Sequence, residues 1–339
     1  MAKITVGVLR GGPSAEHEIS LKTGWNVLNF LPEKYRGVDI VLNKDGQIFE
    51  DGEPSNIRRL NHSVDVIFNA LHGYFGEDGK AQHIFDSINI PYTGSGALAS
   101  ALGMNKVLSR DIFRKAGLKI PRTIVIKKEE PMREAALGVF RNISPPWVIK
   151  PASGGSSIGV SIVHDFSDFV SAIEKAFTLD STVLAEEYIK GREATCGILD
   201  NFRGEEHYAL PAIEIIPACA KVSAGKPPFF DYEGKYSGST GEICPATFEL
   251  PVKREIENMA RLGHRALGCR GYSRLDMIVS TKGIYLLELN TLPGLTGESL
   301  FPKAAEAVGL EFPRLLEHII DLALNRHKWV GSSIEQGAK

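Results

Sequence analysis

The sequence predicts a mixed architecture, an α/β open parallel sheet at the N-terminus followed by α+β segments. Three observations predict it. Strand and helix patterns alternate through the first third; short strands surround one helix pattern in the middle; and the last third couples a polar-faced strand pair to amphipathic helices. With 339 residues, 43% hydrophobic and 24% charged, the chain has room for about two or three domains with cores of their own. Disordered and disulfide-stapled classes are excluded.

Residues 4–9 form an apolar run ending in Arg10-Gly11-Gly12-Pro13-Ser14, which reads as a strand, and 16–30 reads as a helix. Strands are expected at 38–42 and 64–71, a helix at 81–88 and a short strand at 90–93. Ligands of such sheets sit beyond the C-terminal strand ends, which here carry Gly11-Gly12 and His72-Gly73. A helix over 97–115 leads to a boundary at Ile120-Pro121. Strands at 123–126, 147–150, 160–163 and 183–187, with a helix at 166–177, describe a small α+β domain. Beyond it come strands at 193–199 and 208–215 and a Gly-, Pro-, Ser- and Lys-rich loop at 217–241. A helix at 251–267, strands at 272–279 and 284–290, and helices at 302–308 and 312–325 complete the pattern. The expected division is 1–101, 102–190 and 191–330, with a frayed polar tail at 331–339.

Lys and Arg total 39 against 41 Asp and Glu, so the formal charge is −2, with no bulk attraction to nucleic acid or anionic lipid. No apolar run approaches the roughly 18 residues of a membrane span, and the N-terminal run is too short for a signal peptide. A cytoplasmic location without membrane or nucleic-acid partners is expected. Cys196, Cys219, Cys244 and Cys269 show no metal-binding spacing and read as reduced thiols.

Glycine is abundant, 34 of 339, and draws attention to small-residue loops. In Lys150-Pro151-Ala152-Ser153-Gly154-Gly155-Ser156-Ser157 a strand ending in lysine enters such a loop, where backbone N–H groups can approach an anion closely. An ordinary surface turn is the alternative. A stronger signal is Arg274-Leu275-Asp276 followed by Glu288-Leu289-Asn290. Residues two apart in a strand share a face. A three-residue turn at Thr281-Lys282-Gly283 sets Ser280 against Ile284, Asp276 against Glu288 and Arg274 against Asn290, with Leu275, Met277, Leu287 and Leu289 on the core side. Opposed carboxylates repel unless a cation lies between them, and Asp, Glu and Asn oxygens suit Mg²⁺. A salt-bridged solvent face with Arg274 on Asp276 is the alternative. Glu186-Glu187-Tyr188-Ile189 ends another strand and can hold a base and sugar, or form a plain charged turn.

Together these segments resemble the D-alanine–D-alanine ligase family of the ATP-grasp enzymes. The resemblance is carried by GGPSAEHEIS (11–20), LHGYFGEDG (71–79), IPYTGSGALASALGMNK (90–106), VIKPASGGSSIGV (148–160), LAEEYIKGRE (184–193), FFDYEGKY (229–236) with CPA (244–246), GYSRLDMI (271–278) and LLELNTLPGLTGESLFP (286–302). Three positions depart from the pattern: Asn105 where Asp usually precedes the lysine, His83 where Gly is usual, and Gly234 for Ala before Lys235. The resemblance implies the three-part ATP-grasp fold and two D-alanines joined at the expense of ATP, through an acyl phosphate, for peptidoglycan precursors.

The resemblance also implies the site. Mg²⁺, as two ions by the family pattern and replaceable by Mn²⁺, falls to Asp276, Glu288 and Asn290. ATP falls to Lys106, Lys150, Ser157, Glu186, Tyr188, Ile189, Glu193, Phe229, Lys235 and Leu287. Glu16, with Ser156 and Tyr236, is expected to receive the first D-alanine, beside His72. Arg274 and the Gly294 N–H are expected at the oxyanion, and Ser299 and Leu300 at the second D-alanine. The stretch 217–241 is expected to close over the site, and a homodimer is expected. D-Lactate or D-serine as acceptor is the runner-up; an ATP-binding regulator without catalysis and a more distant ATP-grasp ligase are the further alternatives.

Overall fold

The computed structural model describes residues 3–155, 158–216 and 241–336, with residues 326–336 as backbone only. The first unit holds β1 (Ile4–Gly11), α1 (His17–Phe30), β2 (Tyr35–Leu42), β3 (Ile48–Glu50), β4 (Glu53–Ser55), β5 (Val66–Asn69) and α2 (Lys80–Ser87). Its sheet has the order β4-β3-β2-β1-β5, with β1 parallel to both neighbours and β3-β4 an antiparallel hairpin added at one edge. The expected strand at 90–93 is reduced to one parallel bridge, Ile67 with Tyr92. Gly11 ends β1 at a φ of +91°, and a Cβ there would lie 2.3 Å from the Leu42 carbonyl oxygen, so the turn into the following loop requires glycine.

The expected helix at 97–115 is two helices, α3 (Ala97–Met104) and α4 (Lys106–Lys115). Asn105 between them has extended backbone, and its side-chain oxygen accepts from Val107 N at 3.0 Å and Leu108 N at 3.1 Å. A residue that competes for backbone donors breaks the apolar period here and restarts it. Asn caps as well as Asp, so this departure preserves the geometry before Lys106. His83 is exposed on α2, where the usual glycine is not needed.

The second sheet comprises β6 (Thr123–Lys127), β7 (Trp147–Pro151), β8 (Ser161–Val163) and β9 (Thr182–Glu187), ordered β6-β9-β7-β8 and antiparallel. Trp147, Ile149, Phe169, Ile173 and Ala185 form its core under α5 (Met132–Asn142) and α6 (Phe166–Phe177). The sequence reading missed α5, whose buried side is only Ala135, Ala136 and Val139 and leaves a faint apolar stripe.

The third sheet has the order β13-β12-β10-β14-β15, with β11 also on β10. Its strands are β10 (Arg192–Phe202), β11 (Glu205–Ala209), β12 (Ile213–Ile216), β13 (Gly241–Ile243), β14 (Tyr272–Ser280) and β15 (Gly283–Asn290). The single strand expected at 208–215 is split because β11 pairs residues 198–202 of β10 while β12 pairs 193–195. Ile256, Ala260 and Leu267 of α7 (Leu250–Leu267) cover one face. After α8 (Leu300–Glu306), α9 (Phe312–Gln336) returns to the first sheet, burying Ile319 and Ile320 in one core with Val6, Val8 and Phe68. The helix continues to Gln336, past the tail boundary expected at 331.

Candidate active site

The second and third sheets face each other across a cavity of about 470 Å³, lined among others by Lys106, Lys150, Glu186, Tyr188, Ile189, Glu193, Asp276, Leu287, Glu288 and Leu300. That size lies within the range of small-molecule sites.

The β14–β15 hairpin supplies the acidic wall. Asp276 pairs Glu288 and Arg274 pairs Asn290, as the spacing predicts, but the route differs. The turn has two residues, Thr281 and Lys282, because Ser280 pairs Gly283 rather than Ile284. A bulge then compensates: Glu288 faces Asp276 while Leu286 faces Met277, leaving Leu287 as an extra residue. Leu286 therefore takes the core place expected for Leu287, beside Leu275, Met277 and Leu289. Leu287 is turned to the cavity next to Glu288.

Arg274 holds Asp276 bidentately, Nε to Oδ1 and Nη2 to Oδ2, both at 2.8 Å. Thr195 Oγ1 donates to Asp276 Oδ1 at 2.8 Å and Asn290 Nδ2 to Oδ2 at 3.1 Å. The ion pair posed as the alternative is thus present, but at 16% side-chain exposure for both partners it lies inside the site rather than on a solvent face. The donor set is carboxylate, carboxylate and amide oxygen on one hairpin face, which fits a hard divalent cation.

Opposite lies a basic wall. Lys106 opens α4; its N–H donates to the Ala152 carbonyl at 2.9 Å, its Nζ to the Gly154 carbonyl, and Nζ stands 3.8 Å from Glu288 Oε2. Lys150 Nζ lies 2.9 Å from Glu186 Oε2, and Arg110 Nη2 lies 2.5 Å from Glu186 Oε1. These three side chains are almost fully enclosed: Arg110 is 3% exposed, Glu186 2% and Lys150 8%. Burial, opposed by the Glu186 carboxylate and reinforced by Arg110 and Lys106, pushes the Lys150 ammonium down to about 8. Arg110 was missed in the sequence, although it follows Lys106 by four residues on α4 and so shares its face. Thr195 was missed too; it lies two residues after Glu193 in β10. Burial, then the Glu193 carboxylate, raises the Tyr188 phenol.

The first unit contributes Glu16. Ser14 Oγ donates to the His72 carbonyl at 2.6 Å and accepts from Glu16 N at 3.1 Å. A Cβ on Gly73 would lie 2.7 Å from Glu16 Oε2, and one on Gly155 3.5 Å from it, so the carboxylate sits between the His72-Gly73 turn and the small-residue loop. The His72 ring is buried, with Nε2 2.9 Å from Thr23 Oγ1 and Nδ1 3.2 Å from Glu77 Oε1. Both ring nitrogens are engaged, so the structure places His72 as support for this turn. Beyond β15, Ser299 Oγ meets Thr296 N at 3.0 Å and Thr296 Oγ1 at 2.8 Å, and a Cβ on Gly294 would lie 2.9 Å from that hydroxyl. Asn26 of α1 donates to the Leu295 carbonyl at 2.8 Å, tying this loop to the first unit. Ser156, Ser157, Phe229, Gly234, Lys235, Tyr236, Cys219 and the expected closing segment up to residue 240 lie outside the described residues.

Residues 112–321 match the family description "D-ala D-ala ligase C-terminus" and residues 48–95 match "D-ala D-ala ligase N-terminus". The chain belongs to the D-alanine–D-alanine ligase family. It is 42% identical over 327 residues to the D-alanine–D-alanine ligase of Syntrophobacter fumaroxidans, covering 95% of this chain and 98% of the relative. It is 40% identical to that of Pelotomaculum thermopropionicum, covering 95% and 97%. Among solved structures, the VanG D-Ala:D-Ser ligase of Enterococcus faecalis superimposes with a TM-score of 0.83 at 28% identity, covering 95% of this chain and all of that one. The D-alanine–D-alanine ligase of Coxiella burnetii gives 0.83 at 25% identity, covering 99% and 98%. The ATP-grasp fold and the ATP-dependent ligase class follow from membership in this family.

Proposed function

We propose that this family member joins two D-alanines, with the carboxylate of one activated by ATP and the amine of the other as acceptor. The observation that carries the reading is the facing of two charged walls across one cavity, Asp276 and Glu288 of the third sheet, with Asn290 on the same hairpin, and Lys150 of the second sheet with Lys106 at the start of α4.

Lys106 and Lys150 take the phosphate oxygens of ATP. Glu186 is the buried counter-ion that holds Lys150, and base and sugar lie against Tyr188, Ile189, Leu287 and Glu193. A divalent cation, Mg²⁺ or Mn²⁺ and two by resemblance, would be held by Asp276, Glu288 and Asn290 and would supply positive charge to the phosphates. Glu16 receives the ammonium of the first D-alanine. A carboxylate oxygen of that D-alanine attacks the γ-phosphorus, forming an acyl phosphate and releasing ADP. The acceptor amine then attacks the acyl carbon, and the tetrahedral intermediate expels phosphate. Arg274 and the Gly294 N–H carry the negative charge that gathers on the former carbonyl oxygen. Ser299 and Leu300 stand at the acceptor carboxylate.

The basic wall predicts a pH dependence. Lys150 carries its charge below about pH 8 and loses it above. The dissociation constant of metal-free ATP therefore begins to rise near pH 8 and climbs above it until the lysine is neutral. Lys150→Arg, whose charge persists, removes the rise. Calorimetric titrations from pH 7 to 9.5 check this; a flat wild-type profile contradicts it.

The described residues include no helix long and apolar enough to cross a membrane. A cytoplasmic homodimer acting on small molecules alone completes the proposal. The acceptor reading rests on Lys235-Tyr236, a pair that in the family accompanies D-alanine. The similarity to a D-Ala:D-Ser ligase keeps D-serine as the second reading. Supplying D-alanine with equimolar D-serine or D-lactate, and resolving products by mass between pH 6 and 9, tests it. D-Alanyl-D-alanine predominates throughout; a mixed product in excess at any pH overturns the acceptor assignment.

A further inference from the structure

No part of the proposed reaction uses Asp200, His207 and His264, which meet where β10, β11 and α7 converge. None of the three lines the cavity. Asp200 Oδ1 lies 2.8 Å from His207 Nδ1 and 3.2 Å from His264 Nε2, and Asp200 Oδ2 accepts from Gly271 N at 2.6 Å. One ligand atom from each residue falls within 4.8 Å of the other two. A tetrahedral site with bonds of about 2.0–2.1 Å needs donors roughly 3.3 Å apart, so the cluster closes on an ion with small shifts.

His264 provides the independent sign of a ligand. It is fully buried, its Nδ1 lies 2.7 Å from Ser273 Oγ, and its Nε2 has no aligned hydrogen-bond partner among the described residues. When Nδ1–H donates to Ser273, Nε2 presents a bare lone pair toward the Asp200 carboxylate. A proton on Nε2 or a metal ion between them makes that contact favourable, and the titration below separates the two. A hydrogen bond at the far ring nitrogen is also what orients a metal-bound imidazole. Asp200 and His207 keep 11% and 19% side-chain exposure, which leaves an entry path and room for a water as fourth ligand.

We propose that Asp200, His207 and His264 bind one zinc-class divalent ion, distinct from the oxygen-only site of the hairpin. Two imidazoles with one carboxylate favour Zn²⁺ and Co²⁺ over Mg²⁺. The ion would clip the C-terminal end of β10 to β11 and α7.

The test uses the full chain, stripped with a chelator and titrated with Zn²⁺ or Co²⁺ under excess Mg²⁺. One Zn²⁺ per chain is expected by equilibrium dialysis, with visible d–d absorption from the Co²⁺ form. His207→Ala weakens binding at least about tenfold while phosphate release with Mg-ATP and D-alanine stays near wild type. In the wild type the ring resonances of His207 and His264 shift during the same titration, a readout independent of the variant's folding. Absence of stoichiometric binding, binding that His207→Ala leaves unchanged, or unmoved ring resonances would overturn the proposal.

Discussion

Arg274→Ala lowers turnover by about 10²–10³-fold, the usual loss when one oxyanion donor is removed. The guanidinium reaches across β14 to Asp276 and is held by two 2.8 Å bonds, so it is preorganised before substrate arrives. Alanine removes that donor and leaves Asp276 with Thr195 and Asn290. The loss falls on kcat, with KM for ATP changed far less, because Lys106 and Lys150 are untouched. Arg274→Lys recovers only part of the rate, since a single ammonium cannot reproduce the planar fork. Steady-state phosphate release with saturating ATP and D-alanine measures this. Turnover of Arg274→Ala within about threefold of wild type would remove Arg274 from the chemistry.

The second large effect is on stability. Glu186→Gln leaves Arg110 and Lys150 enclosed without their shared anion. Breaking a buried ion pair from one side costs about 3–5 kcal/mol. Arg110→Met costs much less, because Glu186 and Lys150 remain as a neutral pair and a guanidinium without aligned hydrogen bonds among the described residues is replaced by apolar bulk. Urea unfolding of both variants gives the order. Equal losses, or a larger loss for Arg110→Met, would mean that Glu186 is not the centre of the triad.

The acidic hairpin face was legible because residues two apart in a strand share a side, and the turn placed Asp276 against Glu288. That register was reached through a turn one residue too long, offset by a bulge that no alternation pattern announces. The bulge is what turns Leu287 and Glu288 to the cavity in succession. Asn105 hid a helix break because a helical period on both sides outweighed one capping residue. Lys150 and Glu186 were legible as single charged positions, but their pairing depends on the β7–β9 register and on Arg110 from a third element. The Asp200, His207 and His264 cluster leaves no motif in the sequence because its residues are spread over β10, β11 and α7 with no short spacing.

The central claim is that this cavity couples ATP cleavage to joining two D-alanines. Its most direct test measures phosphate release and dipeptide formation together, with Mg-ATP and D-alanine, products resolved by mass and L-alanine as control. One phosphate for each D-alanyl-D-alanine, and none with L-alanine, is the predicted result. ATP binding without phosphate release in the presence of D-alanine would contradict the account.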